Sequence, residues 1–303
     1  MQEIKNRKPA AMAALFVTAI VWGTGFIATQ MSIDAGFSSG NIMLLRFGTA
    51  TVAMLLIFNR KLFPVTKKEL KCGAIVGFFL FSGFYTQVWG LNFTSLSHNG
   101  FLTAVNVVLV PFIAWLIMKK RPSVKVFVSS AVCLGGVMVL TYTGDRISFN
   151  RGDILTVLCA VLFATHIAYT QKCAEEIDTA KLTFLQMLFA FIYAIPVFLA
   201  FDMRSLAGCD ISGLPAVIYL GLFPTCLCFF LQTFAQKVIP AGPSAVVLCT
   251  ESLWCSVLSV LLGYEAVTLN MVLGGAIILI SIVMLEVKIK GKKAVQKSKS
   301  VVK

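Results

Sequence analysis

Ten apolar stretches, each roughly twenty residues long, fill most of this 303-residue chain and constrain its fold more than any other feature, because that length of helix crosses ~30 Å of hydrocarbon. They run over residues 11–31, 40–58, 72–92, 98–118, 124–143, 152–172, 180–201, 213–234, 243–263 and 268–287. Lipid offers no partner to backbone N–H and C=O groups, so each stretch must satisfy its own amides as a helix. None shows the alternation of a membrane barrel strand. Hydrophobic residues make up 58% of the chain and charged ones 13%, against ~25% charged in a soluble domain. The expected fold class is therefore all-α integral membrane. Pro111, Pro196 and Pro224 lie inside stretches, where bundles tolerate proline and often bend at it.

A net charge of +13 would suit a nucleic-acid binder, but the basic residues sort by loop. With the N-terminus placed in the cytoplasm, every lysine and arginine falls on the inner side except Arg46, Arg146, Arg151 and Arg204. This positive-inside bias supports ten spans with both termini cytoplasmic, and no nucleic-acid partner is expected. The basic run before the first stretch resembles a signal peptide, but the apolar run is too long and no small-residue cleavage site follows. It is read as a retained first helix. The nine cysteines are scattered and form no disulfide or zinc pattern. Residues 288–303 carry seven lysines and no acid, which reads as a tail touching anionic lipid.

The segment 19-AIVWGTGFIATQ-30 recurs as 160-AVLFATHIAYTQ-171. Ala19, Thr24, Thr29 and Gln30 meet Ala160, Thr165, Thr170 and Gln171, and Trp22 falls opposite Phe163. A second echo lays 84-FYTQVWG-90 on 229-FFLQTFA-235, pairing Gln87 with Gln232 at a shift of 145; returning to a shift of 141 sets Pro111 against Ser252. Two copies of five spans each must lie upside down relative to one another, which is transporter architecture. The expected organisation is an N-terminal segment over 1–10, a first repeat over 11–143, a second over 152–287 and the basic tail over 288–303.

Trp22-Gly23, Arg46-Phe47, 102-LTAVNVVLVP-111 and 250-TESLWCSVLSVLLGYE-265 resemble the EamA-like branch of the drug/metabolite transporter superfamily. The resemblance covers nearly the whole chain. It implies ten helices as two inverted five-helix repeats, a central cavity, alternating access, and export of small metabolites such as amino acids. The chain departs from the family pattern in two places. Ser252 stands where the family usually has proline after the helix-nine acid, which puts a bend there in doubt, and 119-KKRPS-123 lacks the usual acid after helix four.

Polar residues deep in the spans are the candidate site. Glu251 lies about eight residues, ~12 Å, into the ninth span. A carboxylate near the midplane costs at least ~2.5 kcal/mol, so it should face a wet cavity, be protonated or have a partner; the roles are substrate binding and proton coupling, or one structural hydrogen bond. His166 sits at the repeat position of Gly25 and serves either as an interhelical partner or as a proton shuttle. Arg46 should snorkel to the outer interface or pair with Asp34, with gating or anion binding as the other reading. Asn106, Trp22 and Thr24 should share the depth of Glu251, and Trp254 follows it by less than one turn; each binds substrate or packs helices. Gln87 and Trp89 lie towards the outer end of the third span, where they line an exit or merely pack. His98 is interfacial. The Gly73/Gly77, Gly135-Gly136 and Gly274-Gly275 clusters should let helices approach closely.

No phosphate loop, nucleophile triad or metal pattern is present in the sequence, so neither an enzyme nor a cofactor is expected. The expectation is a secondary transporter, an exporter of amino acids or related amines in a bacterial cytoplasmic membrane, influenced by protons. Import of the same substrates remains open, as does oligomeric state, a monomer being compatible with the sequence. A ligand sensor or scaffold in the membrane is the alternative of a different class. Phosphorylated substrates are disfavoured, because no lysine lies in a span core and a buried unpaired phosphate is costly.

Overall fold

The computed structural model describes residues 2–94, 96–142, 150–263 and 266–286. They form α1 (Gln2–Asp34), α2 (Ser39–Leu62), α3 (Lys67–Leu91), α4 (halves Leu96–Ala104 and Asn106–Met118), α5 (Val124–Thr141) and α6 (Arg151–Ala174). The chain continues through α7 (Thr179–Asp202) and α8 (Ile211–Gln236) to α9 (halves Ala241–Leu248 and Glu251–Leu261) and α10 (Leu269–Glu286). Among the described residues nine helices are long and apolar enough to cross a membrane, and α10 supplies a shorter apolar helix. The fold is the expected one, ten helices in two inverted repeats. The basic tail and the 143–149 loop lie outside the described residues.

Helix starts are set by local chemistry at the span ends. Thr66 and Glu69 close a capping box at the start of α3, and Asn150 and Asp153 do so at α6, each satisfying N–H groups that the first helical turn leaves open. The outer surface is apolar: Leu116 is 79% exposed, and Leu56, Ile154 and Val283 are exposed on other helices. In water such a surface would drive aggregation; against lipid tails it costs nothing.

The packing repeats itself about a pseudo-two-fold axis. α3 lies against α6 and α7, as α8 lies against α1 and α2; α4 meets α6, as α9 meets α1; α2–α7 and α5–α10 pair across the axis. Glycine permits the closest of these approaches. A Cβ on Gly77 would stand 2.8 Å from both the Gln186 carbonyl oxygen and Phe189 Cβ, and one on Gly274 would meet the Leu140 backbone, whereas Gly135 faces open space. Within the expected glycine clusters, then, Gly135 is not a packing contact.

Both α4 and α9 are interrupted at mid-span. Val105 N–H bonds back to Leu102, and Thr250 N–H bonds back to Val247, each one residue short of the helical ladder. The α9 interruption therefore exists with serine at 252, so proline is not what creates it. It also corrects the register: Asn106 and Glu251 each open the second half of their helix, which extends the shift of 145 from Gln87 and Gln232 and replaces the Pro111–Ser252 pairing. Pro224 sits inside a widened π-helical stretch of α8, Gly221–Leu227, which leaves its carbonyl free for a side chain of α1.

Two hydrophobic clusters fill the bundle. One joins parts of α1, α4, α5, α6, α9 and α10; the other joins α2, α3, α7 and α8 with the far end of α1. Trp22 packs against both, and the cavity lies at this seam.

Candidate substrate cavity

The cavity is narrow, with a volume of about 70 Å³. It reaches from mid-span towards the end of the bundle opposite the described termini, where Thr29, Leu91 and Asn99 line it. Its walls are repeat-related: Trp22 with Phe163, Gly25 with His166, Phe26 with Ile167, Phe84 with Phe229, Gln87 with Gln232, and Asn106 with Glu251. Positions 22, 25, 26 and 29 follow the i, i+3, i+4, i+7 spacing of one helix face.

Glu251, from the interruption in α9, is half-buried on this wall, and among the described residues its carboxylate has no hydrogen-bond or ion-pair partner. Asn106 opens the corresponding half of α4 and lines the same space. Asn99 and Gln232 are fully buried lining residues whose side-chain oxygens, Oδ1 and Oε1, lack a hydrogen-bond partner. Asn99 spends its amide on the Gln87 carbonyl and Thr156 Oγ1, each at 3.0 Å. Unpaired buried acceptors cost stability; Glu251, half-buried on the same wall, is the acceptor that a hydrogen-bond donor or a cation in the cavity would meet.

Arg46 overturns the expectation of snorkelling or an Asp34 pair. It is 3% exposed, lines the cavity, stacks its guanidinium 3.8 Å from the centre of the Phe84 ring and donates from Nε to Thr225 Oγ1 at 2.6 Å. Asp34 instead accepts from Gln30 at 2.8 Å. A cation over an aromatic face is held without a carboxylate, which leaves the guanidinium fork without a counter-charge among the described residues.

His166 lines the cavity with Nε2 3.0 Å from Gln186 Oε1 and its ring edge-on to Phe229. Trp22 donates Nε1–H to the Pro224 carbonyl at 2.7 Å, the group that the π-helical stretch releases. Gln87 lines the cavity and donates to Thr103 Oγ1 at 3.1 Å. Three expectations fail on geometry. Thr24 is two residues, about 200°, round the helix from Trp22; it bonds Tyr219 OH and the Val21 carbonyl, outside the cavity lining. Trp254 is not in the cavity lining; its backbone lies against Gly23 of α1, and its indole Nε1 is buried without a partner among the described residues. Trp89 is 44% exposed and packs on Tyr85.

The sequence reasoning missed Thr29, Asn99, Thr103, Phe84, Phe229 and Gln232 as lining residues. Gln232 carried a signal as the repeat partner of Gln87. The phenylalanines carried none, since an apolar ring reads alike whether it faces lipid, core or cavity.

Two inverted repeats of apolar helices, with a mainly apolar cavity at their seam that carries a few polar groups, define a membrane transporter of small molecules. The chain belongs to the EamA-like transporter family, whose profile matches residues 9–142 and 150–287. It is 26% identical to an uncharacterized transporter of Archaeoglobus fulgidus over 91% of this chain and 85% of that protein. It is 25% identical to the uncharacterized transporter YetK of Bacillus subtilis over 80% and 76% of the two chains, and 23% identical to the uncharacterized inner membrane transporter YicL of Salmonella typhimurium over 90% and 94%. One solved crystal structure superposes with a TM-score of 0.78 at 16% identity, covering 91% of this chain and 97% of its own, a likeness of fold.

Proposed function

We propose that this protein is an alternating-access exporter of amino acids or related amines in a bacterial cytoplasmic membrane, with its termini in the cytoplasm and with proton coupling through Glu251, in which His166 takes part. The observation that carries the reading is that one cavity holds an acid and a base that do not pair with each other. Glu251 offers an acceptor to an ammonium, Arg46 offers its fork to a carboxylate, and Trp22, Phe84, Phe163 and Phe229 offer aromatic surface to the side chain. Asn106 and Gln87 hold the polar remainder. An amino acid brings both charges and would satisfy both walls, whereas a phosphate would meet Arg46 but leave its remaining charge facing Glu251. The basic flanks of the helices at the terminal end support a cytoplasmic placement of that end.

Counterflow in proteoliposomes tests the substrate class, with a panel of amino acids, their decarboxylated amines and sugar phosphates. Exchange of amino acids is expected, with the amines weaker for want of a carboxylate. Exchange of the phosphates alone would overturn the reading. Release of labelled amino acids from cells with and without the protein fixes the direction.

A further inference from the structure

The glutamines of the Thr-Gln pairs at 29–30 and 170–171 that mark the internal repeat are not accounted for by the cavity, because both lie beyond it. Gln171 and Gln236 line a second recess, at the terminal end of the bundle, with Lys120 and Lys237 also on its wall. A thin partition separates this recess from the cavity. Ile167 lines the cavity, and its carbonyl accepts from Gln236 Nε2 at 3.0 Å. Beside it the N–H of Ala241, the first residue of α9, donates to Gln171 Oε1 at 2.6 Å. Gln236 also accepts from Gln232 Nε2 at 3.4 Å, which connects the partition to the cavity wall. Both glutamines are buried, at 8% and 2% exposure, so these bonds are largely shielded from water. Two side-chain bonds thus tie α6 to α8 and α9 between the recess and the cavity.

The inverted repeat shows where the matching device would lie at the other end. The shift of 141 carries Gln171 onto Gln30, and the shift of 145 carries Ala241 onto Leu96, the first residue of α4. In this structure, with the cavity reaching towards that end, Gln30 instead donates to Asp34 on its own helix. The third member is missing there, because Gln236 maps onto Leu91, which cannot donate.

We infer that Gln171 and Gln236 form the latch that holds the terminal end shut, and that Gln30 is its inverted counterpart, leaving Asp34 to take the Leu96 N–H when the bundle rocks. This rests on the alternating-access reading and identifies positioning residues for it. The latches are unequal, two bonds against one, so the conformation closed at the terminal end is the resting one.

The test reads conformation without substrate. In a cysteine-free background, Phe163→Cys reports from the cavity wall, and an impermeant thiol reagent is applied from either side of oriented vesicles. Gln171→Ala and Gln236→Leu should raise the ratio of terminal-end to opposite-end labelling roughly fivefold each, the weight of one hydrogen bond, while Gln30→Ala should lower it. Gln171→Glu, which keeps an acceptor for the Ala241 N–H, should stay near the parent ratio. If the cysteine-free chain does not fold, hydrogen exchange at 241–246 in the native chain gives the same sign: faster in Gln171→Ala and slower in Gln30→Ala, whose site is at the far end of the bundle. Shifts of one sign for Gln30 and Gln171, or no shift, would overturn the latch. An absence of amino-acid counterflow would overturn the substrate reading and leave this result standing.

Discussion

Arg46 and Glu251 place opposite charges on one cavity, and among the described residues neither has a counter-charge within reach. A group that makes no bond in the folded state can be neutralised without loss of structure. Glu251→Gln should therefore keep the thermal midpoint of the parent, or raise it, while transport falls at least tenfold and its dependence on pH disappears. Thermal unfolding in detergent beside counterflow at several pH values checks both halves; normal transport across the pH range would make Glu251 structural. Arg46 differs in being held by Phe84 and Thr225. Lysine keeps the charge but loses the planar stack and the fork, so Arg46→Lys should raise KM for carboxylate-bearing substrates about tenfold, ~1.4 kcal/mol, and leave decarboxylated amines within about twofold. Equal losses for both substrate types would remove Arg46 from carboxylate recognition.

Helix approach distances decide which glycines matter. At Gly77 an added methyl meets the backbone of α7 at the very residue, Gln186, that holds His166. Gly77→Ala should cost about 1–3 kcal/mol, in the range of overpacked cores, and should weaken transport by moving that pair. Gly135→Ala meets nothing within 4 Å and should be neutral or stabilise by about 0.5–1 kcal/mol through lower backbone entropy in the unfolded chain. Thermal unfolding of the two variants side by side is the measurement, and equal destabilisation would show that the approach of α3 to α7 is looser than described. Periodicity could not separate these glycines, because a helix in lipid is apolar on every side and its pattern does not mark which face meets a neighbour.

At the scale of the whole molecule the two inverted repeats put the first and last helical ends on the same side, together with Lys67, Lys120 and Lys237, while the loop between α7 and α8 lies opposite. Labelling of single cysteines in intact cells tests the orientation. Two serines on the same side, Ser39 at the start of α2 and Ser148 between the repeats, suit this labelling less well, since Ser39 is 8% exposed and Ser148 lies outside the described residues, whereas Leu206 is 41% exposed in the loop between α7 and α8. Leu206→Cys should react with an impermeant reagent from outside and Lys67→Cys should not. The reverse pattern would place the termini outside and invert the proposed direction.

The sequence by itself determined the helices, their number, the two-copy plan and the shared mid-span depth of Glu251 and Asn106. Hydrocarbon leaves a chain no other way to satisfy its backbone, and a polar group in it stands out against its neighbours. What only the tertiary structure decided was direction. It turned Arg46 from the interface onto Phe84, turned Thr24 and Trp254 away from the cavity, and brought in Asn99, Gln232 and the phenylalanines. The physical reason is that depth follows from counting residues along one helix, whereas the face a side chain presents depends on which helices pack beside it and where α4 and α9 break. The break in α9 has no proline to announce it; it became legible when Asn106 and Glu251 fell on equivalent positions across the pseudo-two-fold axis.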